Sequence, residues 1–205
     1  MAELIIIRHG QASFGAANYD KLSDLGHVQS ELVGKALETR GWVPDRVVIG
    51  GQERHRETLE GMGYATGEIE VDEGFNEYDF QDLLRARYND NVPDLILGDR
   101  KTHFRTLRET VFAWQAGGLP NAAESWLDFT FRVEKALTKA TRDGAKKVLV
   151  VSSGGVIGQI TAVIVGGPAN MMMNLNLQIK NTAINKFIVS GTKRFLHEFN
   201  STPHL

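Results

Sequence analysis

Leu4-Ile5-Ile6-Ile7-Arg8-His9-Gly10-Gln11 is the stretch from which the rest of the chain can be read. Four consecutive apolar residues, three of them β-branched, describe a strand buried on both faces. Such a strand belongs to a parallel sheet covered by helices. The run then stops at a cation and an imidazole. Burying an arginine without an anion is costly, and nothing in the strand supplies a carboxylate. In an open α/β sheet, ligands bind beyond the carboxyl ends of the strands, which is where Arg8-His9-Gly10 falls.

Two more strands of the same kind follow, Arg46-Val47-Val48-Ile49 and Val148-Leu149-Val150-Val151, and each also ends in polar residues. Gln52-Glu53-Arg54 comes shortly after the second, and Ser152-Ser153-Gly154 directly after the third. One such tripeptide is an ordinary solvated loop; three meeting at one sheet edge make a site. Arg8 and Arg54 offer planar forks suited to phosphate oxygens. His9, with one ring nitrogen unprotonated, can attack phosphorus, and Gly10 lets the backbone pass close to an anion. The chemistry suggested is phosphoryl transfer.

Helical periods fill the intervals. Ser23 caps a helix bearing Leu25, Val28, Leu32, Val33 and Leu37, with Gly41 as its stop. A charged helix covers roughly residues 53–62. A third, opened by Ser125, carries Trp126, Phe129, Val133, Leu137 and Ala140 on one stripe, so its aromatics are core. An apolar helix follows Gly154-Gly155, and two closing strands lie near 186–189 and 194–199. Residues 63–124 differ in texture, with turn clusters around one clear helix bearing Phe104, Leu107, Val111 and Trp114. They read as an insertion covering the site within a single domain spanning 1–205. Alternating strands and helices give a three-layer α/β/α sandwich with a mainly parallel sheet.

Composition narrows the partners. Hydrophobic residues are 42% and charged residues 23%, which excludes a disordered or fibrous chain. Cys is 0, so thiol catalysis, iron–sulfur sites and cysteine zinc sites are out. A formal net charge of −2 gives no field for nucleic acid or an anionic membrane. The N-terminal apolar run is too short for a signal peptide, and the expected location is cytoplasmic. No histidine pair has metal-ligand spacing and no nucleotide-binding glycine loop is present, so no cofactor is expected. His27 and His103 read as solvated, His197 as sheet surface, and His204 as part of a loose tail. Glu68, Glu70, Asp72 and Glu73 read as a solvated face. Met171-Met172-Met173 reads as core or subunit contact and, with exposed edge strands, permits a homodimer.

Several segments together resemble the histidine phosphatase superfamily, the phosphoglycerate mutase-like proteins. Leu4 to Gln11 is similar to its opening signature, and Leu22-Ser23-Asp24-Leu25-Gly26-His27-Val28-Gln29 to its first-helix segment. Arg54-His55-Arg56-Glu57-Thr58 resembles the second-arginine motif, with Arg and Thr four apart. Phe75-Asn76-Glu77-Tyr78-Asp79-Phe80 resembles the segment that presents the acid. The resemblance implies a phosphatase that hydrolyses a phosphomonoester through a phosphohistidine at His9, with Glu77 as proton donor. Arg8, Arg54, Ser153, Gly10 and Gln11 would bind phosphate. The implied partner is a phosphorylated small molecule or phosphoprotein, with phosphate ion as product.

The chain departs from that pattern where the last motif would read His-Gly and here reads Ser153-Gly154. A serine gives one neutral hydrogen bond in place of an imidazolium, and losing a donor of that kind costs about 10²–10³ in rate. Ala12 stands where many relatives place a hydroxyl residue. The alternative is therefore a weakened relative that binds phosphorylated ligands or a protein partner in regulation, with a mutase ranked behind it. A serine-hydrolase reading of Ser153 lacks the glycine two residues earlier, where Val151 stands. His55 follows Arg54 directly and could replace the missing imidazole, but since helix neighbours point about 100° apart, a surface role is expected. On this reading Ser153→His would raise turnover at least tenfold.

Overall fold

The computed structural model describes residues 1–13, 20–93, 100–142 and 144–205. At its centre lies β1 (Ala2–Arg8), hydrogen-bonded on one side to β4 (Lys147–Ser152) and on the other to β5 (Ile184–Ser190). The sheet runs β3-β2-β4-β1-β5-β6, where β2 is Arg46–Ile49, β3 is Ile69–Val71 and β6 is Lys193–Ser201. β3, β2, β4 and β1 are parallel, whereas β5 and β6 form an antiparallel hairpin at the far edge. The mainly parallel sandwich expected from the sequence is what forms.

Alternation along β1 divides the core in two. Leu4 and Ile6 face one cluster with Phe75, Trp114, Phe129, Val133 and Met172. Ile5 and Ile7 face the other with Val33, Leu37, Leu59 and Leu149. Each such side chain removed from water contributes about 1.5–3 kcal/mol. Helix α5 (Trp126–Ala140) belongs to the first face and buries Phe129, Val133, Leu137 and Ala140 of the expected stripe, with Trp126 half-buried and Ser125 accepting a hydrogen bond from the Asp128 N–H. Helix α6 (Gly154–Ile164) and α7 (Met171–Asn176) share this face, and Met172 and Met173 are core.

The other face carries α1 (Asp24–Thr39) and α2 (Glu53–Gly61), and here the sequence reading is corrected. Of the five apolar residues assigned to the buried stripe of α1, Val33 and Leu37 are buried, while Leu25, Val28 and Leu32 are exposed. The rest of the inward face is made of Gly26, Ser30 and Gly34. A Cβ on Gly34 would stand 2.2 Å from the Met62 carbonyl oxygen, and one on Gly61 would stand 2.7 Å from Ser30 Cβ. The two helices meet nearly backbone to backbone, which apolar periodicity cannot register.

Residues 63–124 also hold more than one helix. β3 joins the sheet as its edge, a 3₁₀ turn (Glu73–Phe75) follows, and then come α3 (Phe80–Tyr88) and α4 (Arg100–Gln115). Residues 94–99 of this segment lie outside the described residues. α3 is capped by Asp79, which accepts from the Asp82 N–H at 3.0 Å, and it buries only Leu83 and Leu84. Its short apolar face explains why the sequence reading passed over it. Part of the acidic stretch is paired: Glu70 receives both arms of the Arg46 guanidinium, at 2.6 and 2.9 Å, and Asp72 meets Lys139 at 3.1 Å. Among the described residues, no helix is long and apolar enough to cross a membrane.

Gly34→Ala tests the close packing of α1 on α2. In an open helix this change stabilises by about 1 kcal/mol. Here the new methyl group meets a carbonyl oxygen, and the expected outcome is destabilisation of about 1–3 kcal/mol in urea unfolding.

Candidate active site

The β1–β4 register ends with Arg8 opposite Ser152, and the His9 N–H donates to the Ser152 carbonyl at 2.9 Å. His9 and Ser153 therefore stand side by side just past the sheet. On the other flank of β4, the Gly50 N–H donates to the Val151 carbonyl at 3.2 Å, and α2 starts three residues later. The three polar tripeptides thus come to one edge.

His9 is buried, and its Nδ1 lies 2.7 Å from the Gly10 carbonyl. A carbonyl only accepts, so Nδ1 carries the hydrogen and Nε2 keeps a lone pair. Burial holds the ring well below its ordinary pKa, and the Arg54 and Arg8 cations and then His55 press the same way, against the Gly10 carbonyl. The imidazole is neutral at physiological pH.

Arg54 is also buried. Its fork is held by Asp20 at 2.6 Å and by Gln52 Oε1 at 2.7 Å, while its Nε is buried with no hydrogen-bond partner. Gln52 Oε1 accepts in addition from the Glu77 backbone N–H at 3.1 Å, tying the second-arginine segment to the acid segment. Glu77 Oε2 accepts from the Gly155 N–H at 2.9 Å, near the start of α6. Burial raises the Glu77 carboxyl above its usual range, opposed by the Gly155 N–H and by Arg54 and Arg8. Arg8 lies across the start of α6, its Cζ 3.6 Å from where a Gly154 Cβ would stand, and it donates to the Ile179 carbonyl.

Gly10 and Gln11 are placed otherwise than as simple phosphate contacts. The Gly10 N–H donates to Thr58 Oγ1 at 3.0 Å, and the Gln11 N–H to Gln29 Oε1 at 2.9 Å. A Cβ on Gly10 would fall 2.4 Å from the Gly26 carbonyl oxygen, so helix packing by itself requires the glycine. The Gln11 side chain accepts from Ser23 Oγ, at the cap of α1.

His55 is the largest correction. It is fully buried, its ring centroid is 5.9 Å from that of His9, and its Nε2 is 2.8 Å from Ser153 Oγ. Burial pushes its pKa down to about 3, with Arg54 assisting and the Gly50 backbone opposing. Asp20 and His204 were missed as well. His204 lies 3.0 Å from Thr182 Oγ1, so the tail is docked and not loose. Thr182 sits at φ 55°, where a β-branched residue is strained by about 1–3 kcal/mol, and its N–H bonds the Arg8 carbonyl at 3.0 Å. Among the described residues, a cleft of about 340 Å³ opens beside Glu77 and includes Tyr78, Asp79, Asp82 and Trp114. A larger apolar cleft of about 810 Å³, between α5 and α6, shares none of the site residues.

Residues 4–202 match the model of the histidine phosphatase superfamily, branch 1. The chain belongs to that superfamily. No curated protein matches it by sequence. Solved structures of histidine phosphatases share its fold throughout. Phosphoserine phosphatase from Entamoeba histolytica, in complex with phosphoserine, superposes with a TM-score of 0.70 at 19% identity, covering 100% of both chains. The α-ribazole phosphatase of Shigella flexneri gives 0.72 at 19% identity, over 97% of this chain and 96% of that one. Mycobacterial glucosyl-3-phosphoglycerate phosphatase with inorganic phosphate gives 0.69 at 20%, covering 100% of both.

The neutral buried imidazoles of this member of the superfamily set a pH limit on its stability. The unfolded chain protonates its histidines near pH 6.5, whereas folded His55 does so only near pH 3. The stability is therefore full above about pH 6.5 and is lost as the pH falls toward the folded value. At pH 5 the loss due to His55 is about 2 kcal/mol. His55→Gln should shrink by that amount the drop in unfolding free energy between pH 7 and pH 5. An undiminished drop would mean that the folded ring is charged.

Proposed function

We propose that this protein hydrolyses phosphomonoesters through a phosphohistidine at His9. The observation that carries the reading is the state of His9: neutral, with Nδ1–H fixed on the Gly10 carbonyl and Nε2 carrying a lone pair beside two arginines. In the first step, Nε2 attacks phosphorus and the ester P–O bond breaks. The departing oxygen takes the proton held on Glu77, whose raised pKa keeps it available. In the second step, the Glu77 carboxylate takes a proton from water. The water oxygen attacks phosphorus, and the P–N bond pair returns to Nε2.

Arg8 and Arg54 neutralise the phosphoryl oxygens, Arg54 using the Nε–H that its ties to Asp20 and Gln52 leave unpaired. Ser153 supplies a neutral hydrogen bond. Gly10 and Gln11 shape the loop through Thr58 and Gln29. Residues 63–124 act as the cover that presents Glu77. The substrate is a phosphorylated small molecule or a phosphoprotein. Similar folds that carry phosphoserine or inorganic phosphate support the same class. A second reading, a relative that binds phosphate with little turnover, is favoured by Ser153 standing where the last motif ordinarily has a histidine.

Turnover of p-nitrophenyl phosphate that is abolished by His9→Ala separates the two readings; binding of inorganic phosphate with no His9-dependent turnover favours the second. Glu77→Gln should cost about 10²–10⁴ in kcat on an alkyl phosphate. The cost should be smaller on p-nitrophenyl phosphate, whose phenolate leaves without a proton. Turnover of the native protein should fall as the pH rises through the raised pKa of Glu77, and this limb should vanish in Glu77→Gln. A descending limb that survives the substitution would remove Glu77 from the acid role.

A further inference from the structure

β4 hands over to α6 at Ser153, the N-cap position of that helix. A serine there ordinarily accepts a hydrogen bond from an N–H of the first helical turn. Ser153 makes no such bond. Its hydroxyl lies instead 2.8 Å from His55 Nε2, and both side chains are fully buried. The chain also keeps room for this ring. A Cβ on Gly50 would lie 2.3 Å from His55 Nδ1, so residue 50 can be little else than glycine while the imidazole sits where it does.

The pair lies against the nucleophile. His9 and Ser153 follow directly on the Arg8–Ser152 register pair, and the His55 ring is 5.9 Å from that of His9. An imidazole has therefore been brought next to the last motif from α2, not from the end of β4. We propose that His55 and Ser153 act as one donor, His55 Nε2–H donating to Ser153 Oγ and so turning the serine's own hydrogen onto the phosphoryl group at His9. The assignment rests on the phosphatase reading above, and it makes His55 a positioning residue acting through Ser153.

The ring is neutral, because burial and the Arg54 cation both oppose its protonation. It adds no third cation to the site. A buried chain N–H···O–H···O polarises along its length, and it strengthens when its last acceptor is an anionic phosphoryl oxygen. Nδ1 closes no regular hydrogen bond, and the Gly50 backbone on that side favours a proton on the ring. An anionic phosphoryl oxygen only accepts, so with the ligand bound the serine's hydrogen goes to phosphate and Nε2 carries the ring's hydrogen toward Ser153 Oγ. On this proposal Ser153→His alone does not accelerate turnover, since the His55 ring already fills the space against Ser153 Oγ.

The test uses the full chain, p-nitrophenyl phosphate for kcat and KM, and inorganic phosphate for affinity by calorimetry. His55→Leu and Ser153→Ala should each lower kcat about 10²-fold, with KM little changed. The double variant should be no worse than either, because the two residues act as a unit. Ser153→His alone should be slower than the native protein. His55→Ala combined with Ser153→His, which moves the imidazole across the contact, should recover to within about tenfold of native. A purely structural role for His55 would lower stability but not kcat per folded molecule, and transposition would rescue nothing. Should His55→Leu not fold, His55→Gln retains an N–H at similar reach and should keep more activity than His55→Met.

The proposal is overturned if His55→Leu, or its Gln and Met replacements, leave kcat within threefold of native. It is equally overturned if the transposed pair remains as slow as the single variants. If the native protein binds phosphate without turning over, phosphate affinity becomes the readout: a loss of tenfold or more in His55→Leu supports the pair, and an equal affinity overturns it. A native protein that shows neither His9-dependent turnover nor phosphate binding sinks the phosphatase reading itself, and the pair with it.

Discussion

The parallel pairing of β1 with β4 is the constraint on which the site depends. Six consecutive register pairs, Glu3–Lys147 to Arg8–Ser152, fix where both strands stop. They stop together, so His9 and Ser153 share one level beyond the sheet. A slip of one residue would turn every side chain of β1 to the opposite face, exchanging the Leu4–Ile6 and Ile5–Ile7 cores and carrying His9 to the wrong side of the sheet. The candidate site is held by the same apolar contacts that hold the fold, which is how a loop-end histidine is positioned there.

Around that end the protein gathers two guanidinium groups, two imidazoles and a carboxyl, most of them shielded from water. Burial penalises whichever form is charged, and each group responds as its chemistry allows. The imidazoles lose their protons and the carboxyl tends to keep its own. The guanidiniums cannot deprotonate, so Arg54 is compensated by Asp20. The result is an arrangement whose fixed charge is cationic, whose His9 is unprotonated and whose Glu77 binds a proton more readily than a free carboxyl. These shifts run in the direction that the proposed chemistry requires, and burial is the largest cause of each.

Much of this was legible because the fold is built from contiguous apolar strands. Each of β1, β2 and β4 is a run that only a doubly covered sheet buries, and the polar residues that end them could be read as site candidates. What escaped has a common physical cause. α1 is seated by Gly26, Ser30 and Gly34, and close approach is signalled by small residues, not by hydrophobic period. α3 buries a single adjacent leucine pair. Asp20 compensates Arg54 from a distant part of the chain, and His204 reaches Thr182 across a tail with no regular pattern. Contacts between remote polar residues leave no period in the sequence to detect.

His55 shows why a local angular argument fails at this place. Neighbours on a helix diverge by about 100°, and that sends one of them to solvent only if the helix has a single narrow buried face. α2 is wedged between α1 and the ends of β2 and β4, and it buries Arg54, His55, Thr58 and Leu59 together. Its inward arc is therefore two residues wide, with room for a guanidinium on one side and an imidazole on the other. One helix start can then serve both phosphate charge and proton placement, a division that otherwise needs a second histidine at the end of β4. Moving an imidazole between these two origins changes no strand, no register and no helix axis, only which side of one hydroxyl-sized gap the ring enters from. Gly50 is the signal that would have exposed the arrangement, since a glycine closing a buried strand is expected where another group must come within contact distance of the backbone.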